Sequence, residues 1–182
     1  MRTTWRWPRD HDEGDLIVSE MDEVIPALVA AVQEQHATGD HYRDDAIRQA
    51  MEHQAQLALR PGPVRVDVIV DPPWSDGQIN SVQVVTGDRP FLVDTVASCL
   101  LRHGWRVEDV RHPIIGVKRD RGTIEAVGMP GRGGCASESW IHIDATAPLG
   151  TDIGQAAEQL RDDLCACLDQ VVCATDDWGG NA

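Results

Sequence analysis

The sequence is poor in positive charge, which limits the partners that it can bind. Its 182 residues include 16 lysines and arginines against 30 aspartates and glutamates, giving a formal net charge of −14 at pH 7. Such a surface repels phosphate backbones unless a local basic stripe compensates, and the arginines are scattered along the chain. We therefore expect no nucleic-acid partner.

Long hydrophobic runs are absent as well. The longest, Val24 to Val32, has nine residues and contains Pro26, whereas a membrane-spanning helix needs about 20. The opening residues, MRTTWRWPRD, lack the apolar core of a secretion signal. The five cysteines are odd in number and show no disulfide framework, which is typical of a reducing compartment. The sequence thus predicts a cytoplasmic protein with no membrane partner.

Motifs for cofactors and metals are also missing. The only glycine cluster, Gly128 to Gly134, leads into a predicted strand, whereas a dinucleotide-binding loop joins a strand to a helix. No phosphate-binding loop, His-Glu-x-x-His or Cys-x-x-Cys pattern occurs, and the seven histidines are dispersed. The only lysine, Lys118, is interpreted as a solvated side chain beside a hairpin. We expect no cofactor, metal or catalytic residue in this chain.

Hydrophobic periodicity divides the chain into a helical part and a mixed part. Apolar residues recur at steps of three and four through residues 14–36 and 44–59, which predicts two helices. From residue 63 onward, the periodicity predicts strands over 64–70, 79–86, 107–119, 123–129 and 138–145, and helices over 91–103 and 151–173. This order predicts an α+β fold, with two helices on one face of a mostly antiparallel sheet. We place boundaries at 1–62 (helical segment), 63–178 (α+β domain) and 179–182 (frayed tail).

The stretch TGDRPFLVDTV joins a predicted strand to a predicted helix and carries the candidate binding site. Asp88 can cap the helix, and Pro90 suits its first turn. In the functional interpretation, the exposed backbone N–H groups at the start of the helix favour a ligand carboxylate, and the Asp88 carboxylate pairs with a ligand ammonium. The loop would then bind an amino-acid effector through Asp88, Arg89, Pro90 and Phe91. In the other interpretation, Asp88 only caps the helix and Arg89 lies on the surface.

The strand around Trp140 alternates strictly, with Ser139, Ile141 and Ile143 on one side and Trp140 and His142 on the other. Because the second side is polar with one aromatic ring, we predict that Trp140 and His142 form a free face for a neighbouring domain or a second copy.

His112 joins this candidate interface. It is also the one candidate for proton transfer, with Asp94 or Glu138 as partner. The adjoining Pro113 more simply marks a strand edge or a bulge.

At these residues the sequence resembles a known family. The run VVTGDRPFLVDTVASCLLRHGWRVEDVRHPIIGVKRDRGTIEAV, then SESWIHIDA and VVCATDDW, is similar to the N-terminal region of the large bacterial NAD-dependent glutamate dehydrogenases. HYRDDAIRQAMEHQAQLALRPG upstream resembles the helical segment that precedes it there. The resemblance covers about residues 40–178.

The resemblance implies a ferredoxin-like, ACT-like domain with a regulatory or assembly role. The parent polypeptide would oxidatively deaminate L-glutamate to 2-oxoglutarate with NAD, and this segment would bind no cofactor itself. Its implied partners are the catalytic and other regulatory domains of the same polypeptide, further copies in a homo-oligomer, and an amino-acid ligand. A standalone amino-acid sensor and a small hydrolase or lyase built on His112 stay open as alternatives.

One departure from the ferredoxin-like pattern concerns its last strand. The ideal βαββαβ unit ends with a strand after its second helix, and this sequence shows none there. We predict that the strand at 64–70 fills that edge of the sheet, because an uncovered edge would invite pairing with another chain.

Overall fold

The computed structural model describes residues 16–17, 21–35, 44–75 and 77–179. Its seven strands are β1 (Leu16–Ile17), β2 (Val64–Ile69), β3 (Asn80–Gly87), β4 (Arg106–Arg111), β5 (Ile114–Asp120), β6 (Thr123–Gly128) and β7 (Ala136–Thr146). Its four helices are α1 (Met21–Gln35), α2 (Asp44–Ala58), α3 (Leu92–Arg102) and α4 (Ile153–Gly179). The predicted α+β class is confirmed.

All strand pairs are antiparallel and form one sheet in the order β1-β6-β5-β7-β3-β2, with β4 also pairing β7. Strand β2 lies at one edge, paired with β3 from Val64↔Thr86 to Ile69↔Ser81. This is the place that the last strand of a ferredoxin-like unit occupies, so the prediction for residues 64–70 is confirmed. The fold is ACT-like, but its edge strand β2 comes before β3 and α3 in the chain and not after α4.

The predicted strand at 107–119 is interrupted. Strands β4 and β5 lie end to end along β7, and the break falls at His112-Pro113. Proline cannot donate a ladder hydrogen bond, so strand pairing stops there, although the Pro113 carbonyl still accepts from the Trp140 N–H at 3.0 Å. The following hairpin turns on two residues, with positive φ at both Arg121 (47°) and Gly122 (90°).

Helix boundaries differ from the sequence prediction at several ends. Leu16–Ile17 pairs with β6 as a strand, although periodicity had extended the first helix over it. Helix α4 continues to Gly179, so the predicted stop near Cys173 is wrong, and residues 180–182 of the predicted tail lie outside the described residues. Asp152 caps α4, since its Oδ1 accepts from the Gln155 N–H at 3.1 Å.

Helices cover both faces of the sheet. Helices α3 and α4 bury an apolar cluster against one face, with Leu100, Ile141 and Leu164 fully buried. Helices α1 and α2 bury a second cluster on the other face, around Leu28, Val85 and Trp140. The sheet therefore positions the β3–α3 loop at the end of a scaffold that is packed on both sides.

Candidate functional site

The β3–α3 loop begins with Asp88, whose main chain and side chain are both fixed by strand β7. Its N–H donates to the Ser137 carbonyl at 2.8 Å, extending the β3–β7 pairing beyond the strand. Its Oδ1 accepts from the Ser139 hydroxyl at 2.6 Å. Asp88 is itself exposed, whereas Ser139 is fully buried. The carboxylate is thus held in one orientation and still open to solvent.

His112 extends this arrangement through the same hydroxyl, with its Nε2 3.0 Å from Ser139 Oγ. Since Ser139 has one hydroxyl proton and gives it to Asp88, the His112 Nε2–H must donate to Ser139. Burial lowers the pKa of His112, while the Asp88 carboxylate acts in the opposite direction. The row His112–Ser139–Asp88 therefore directs hydrogen bonds toward Asp88.

This polarity bears on the alternative of catalysis by His112. A nucleophilic serine gives its proton to a histidine, whereas Ser139 gives its proton to a carboxylate and lies buried. Neither carboxylate proposed as a partner accepts from His112: Asp94 is exposed on α3, and Glu138 pairs with Arg119 at 2.6 Å. The partner reached from His112 is Asp88, through Ser139.

Arg89 extends away from Asp88 toward the C-terminal part of α4. Its Nη1 donates to the Val172 carbonyl at 3.2 Å and to Thr175 Oγ1 at 2.9 Å. Its Nε donates to the Gly87 carbonyl at 3.3 Å. The guanidinium thus joins the loop to α4, a contact that neither sequence interpretation of Arg89 included.

Pro90 and Phe91 complete the loop. Phe91 occupies the N-cap position of α3 with φ of 70°, and no side chain caps the helix there. The prediction that Asp88 caps α3 is therefore wrong, because the helix begins at Leu92 and the Asp88 carboxylate is engaged by Ser139. The Phe91 side chain is 62% exposed. The first turn of α3 accordingly presents backbone N–H groups without a side-chain cap beside an exposed ring.

The predicted free face at Trp140 and His142 is covered within the chain, so the prediction that it is free is wrong. Trp140 is 0% exposed in the cluster under α1 and α2. His142 is 5% exposed, and its Nδ1 lies 3.1 Å from Gln83 Nε2, which also donates to the Ala50 carbonyl of α2. The alternation along β7 was right, but the second face receives the N-terminal helices.

Ser139 and Gln83 are two buried polar residues whose contacts sequence reasoning missed. Alternation placed Ser139 on the face of Ile141 and Ile143 but gave no sign that Asp88 would meet it. That contact joins residues 51 positions apart, so it depends on the β3–β7 register, which the sequence pattern does not fix.

Metal-binding groups, membrane-spanning helices and the single lysine are the remaining features to place in the part of the chain that the structure describes. No group of three or more His, Cys, Asp or Glu side chains there is arranged to hold a metal ion. No helix among those residues is long and apolar enough to cross a membrane. Lys118 lies on β5 with its Nζ 3.6 Å from Glu125 Oε2, half exposed as expected for a hairpin side chain.

Comparison with known proteins gives one family. A family model described as "Glutamate dehydrogenase, ACT1 domain" matches residues 27–164. No curated protein matches the chain. The matched range runs from α1 into α4 and includes Asp88, His112 and Ser139.

Proposed function

Because the chain belongs to the glutamate dehydrogenase ACT1 domain family, we propose that it is a non-catalytic regulatory and assembly domain of an NAD-dependent glutamate dehydrogenase. The parent enzyme would convert L-glutamate to 2-oxoglutarate. Deamination in such enzymes depends on lysines, and this sequence has one, Lys118, paired with Glu125. NAD would bind elsewhere in the parent polypeptide.

The fixed, exposed carboxylate of Asp88 carries the second part of the proposal, that this loop binds an amino-acid effector. A ligand ammonium would pair with Asp88, whose orientation Ser139 and His112 maintain. The ligand carboxylate would face the uncapped first turn of α3, where backbone N–H groups favour an anion. Arg89 would act indirectly, by holding the loop against α4.

The assembly role concerns contacts outside this chain. The exposed Phe91 ring adjoins the effector loop, so a second copy or a neighbouring domain of the same polypeptide packed on it would respond to the bound ligand. The odd number of cysteines, without a disulfide framework in the sequence, supports a cytoplasmic location, where thiols stay reduced.

Calorimetry tests the effector site directly. The chain is titrated with glutamate, aspartate and other amino acids, and Asp88→Asn is compared with Asp94→Asn. We expect Asp88→Asn to raise Kd at least about tenfold through loss of a charge-assisted hydrogen bond. Asp94, an exposed carboxylate in the first turn of α3, is the matched control and should leave Kd within about twofold.

Two results would contradict these assignments. Absence of heat at millimolar amino acid, or equal weakening by both substitutions, would remove the effector site at Asp88. Formation of NADH from glutamate and NAD by the chain alone would remove the non-catalytic assignment.

A further inference from the structure

Two cysteines from different helices meet beneath one arginine, away from the β3–α3 loop. Arg102, in the last turn of α3, has its Nη2 3.6 Å from Cys99 Sγ on the same helix. The same nitrogen lies 3.2 Å from Cys167 Sγ on α4. The two sulfurs therefore share one guanidinium across the α3–α4 contact.

The two thiols differ in their access to solvent. Cys99 is 1% exposed within the apolar cluster, and Cys167 is half-buried at its margin. Burial raises the pKa of the Cys99 thiol, against the effect of Arg102. The contacts with the sulfurs raise the pKa of Arg102 itself, so the guanidinium stays charged beside them. This difference suits Cys167 to react first and Cys99 to react second.

Cys165 gives an internal comparison on the same helix. Residues two apart on a helix point about 200° from each other. Cys165 is half-buried like Cys167, and burial together with Asp169 and Asp162 raises the pKa of its thiol. Its exposure is similar, but Asp169 and Asp162 raise its pKa against the opposing effect of Arg161, whereas the Cys167 sulfur lies 3.2 Å from Arg102 Nη2.

We propose that Cys167 and Cys99 form an oxidation site that reacts with hydroperoxides to give a disulfide between α4 and α3. The Cys167 thiolate attacks one peroxide oxygen, the O–O bond breaks, and the leaving oxygen departs with a proton as water or an alcohol. The product is the Cys167 sulfenic acid. The Cys99 sulfur then attacks that sulfur, the S–S bond forms, the S–O bond breaks, and the Cys99 proton leaves with the hydroxide as water. The two thiols lose two electrons, which the hydroperoxide gains.

The consequence is a covalent link across the α3–α4 layer. Helix α3 begins at the candidate effector loop, and α4 receives Arg89 from that loop. A bond between the two helices restricts their relative movement and the conformations of the unfolded chain. Oxidation should therefore stabilise the domain.

The test uses the full 182-residue chain, reduced and then treated with stoichiometric hydrogen peroxide. Peptide mass spectrometry without reduction should find Cys99 linked to Cys167 as the main product, and oxidation should raise Tm by about 5 °C or more in a way that dithiothreitol reverses. Cys167→Ser should abolish both results, and Cys165→Ser should leave both unchanged. In Cys99→Ala, which keeps a small apolar side chain in the core, dimedone should label a persistent Cys167 sulfenic acid.

Three outcomes would overturn the proposal. They are a product without the Cys99–Cys167 link, equal oxidation of Cys165 and Cys167, and an unchanged Tm on oxidation. The Tm comparison and the peptide assignment use the unsubstituted chain, so they decide the matter even if Cys99→Ala fails to fold.

Discussion

The two faces of the sheet are both buried, but by different chemistry. Under α3 and α4 the sheet contributes apolar side chains such as Val82, Val84 and Ile143. Under α1 and α2 it contributes Trp140 and Val85 beside the polar Gln83. The comparison teaches that a polar strand face is not evidence of a free face, because a covering helix can satisfy its hydrogen bonds.

The largest expected effect comes from Trp140, whose burial defines the α1/α2 face. Trp140→Ala should lower the free energy of unfolding by about 3–5 kcal/mol, the usual cost of removing a fully buried tryptophan. Phe91→Ala removes an aromatic ring that is 62% exposed and should change stability by less than about 0.5 kcal/mol. Urea denaturation of both variants gives the comparison.

A small loss in Trp140→Ala, similar to that in Phe91→Ala, would mean that α1 and α2 do not cover this face in solution. The predicted interface with a neighbouring domain or a second copy would then return.

A smaller effect is expected at Gly116, on the face opposite Ile115 and Val117. A Cβ there would lie 2.5 Å from the Gly128 carbonyl oxygen and 2.6 Å from that of Met129, and backbone atoms cannot move aside cheaply. Gly116→Ala should cost about 1–3 kcal/mol by thermal or urea unfolding. Gly154→Ala, in an exposed position of α4, is the matched control and should be neutral or stabilising. A neutral Gly116→Ala would contradict the close approach of β6.

Most elements of this fold could be predicted from the sequence, because their signals are local. The change from helical to alternating periodicity at Pro63 separated α2 from β2, and the helix predicted over 91–103 ends at Arg102 in α3. The edge position of β2 followed from the need to fill the sheet. Boundaries failed where long-range contacts override local pattern: Leu16–Ile17 has helical spacing but pairs with β6.

The candidate site was only partly predictable for the same reason. The loop at Asp88 followed from the strand–helix junction. The direction of Arg89 toward Thr175 and the contact of Asp88 with Ser139 span 86 and 51 residues. Such contacts depend on packing and strand register, which one sequence does not fix.

The sheet face under α1 and α2 also contains His142, a buried ring that should make stability depend on pH. His142 Nε2 donates to Asp144 Oδ1 at 3.0 Å, and Gln83 donates to its Nδ1. A second proton on the ring would sit at Nδ1 and face the Gln83 amide nitrogen, which cannot accept it. The Gln83 oxygen already accepts from His53 at 2.8 Å. Asp144 is also paired with Arg111, which lies beside Asp109 at 3.2 Å.

The last and smallest expected effect follows from His142, since burial, and to a lesser extent Arg111, lower its pKa against the opposing effect of Asp144 and Asp109. The unfolded chain takes up the proton first as the pH falls below about 6.5, so stability present at neutral pH is lost toward acid. His142→Gln should reduce the slope of unfolding free energy against pH by up to about 1.4 kcal/mol per pH unit below about pH 6.5. His112→Gln, at an exposed ring whose pKa is also lowered, should change the slope in the same direction but less. Equal slopes in the unsubstituted chain and His142→Gln would show that the ring is not confined between α2 and the sheet, and the two faces would then differ less than their side chains indicate.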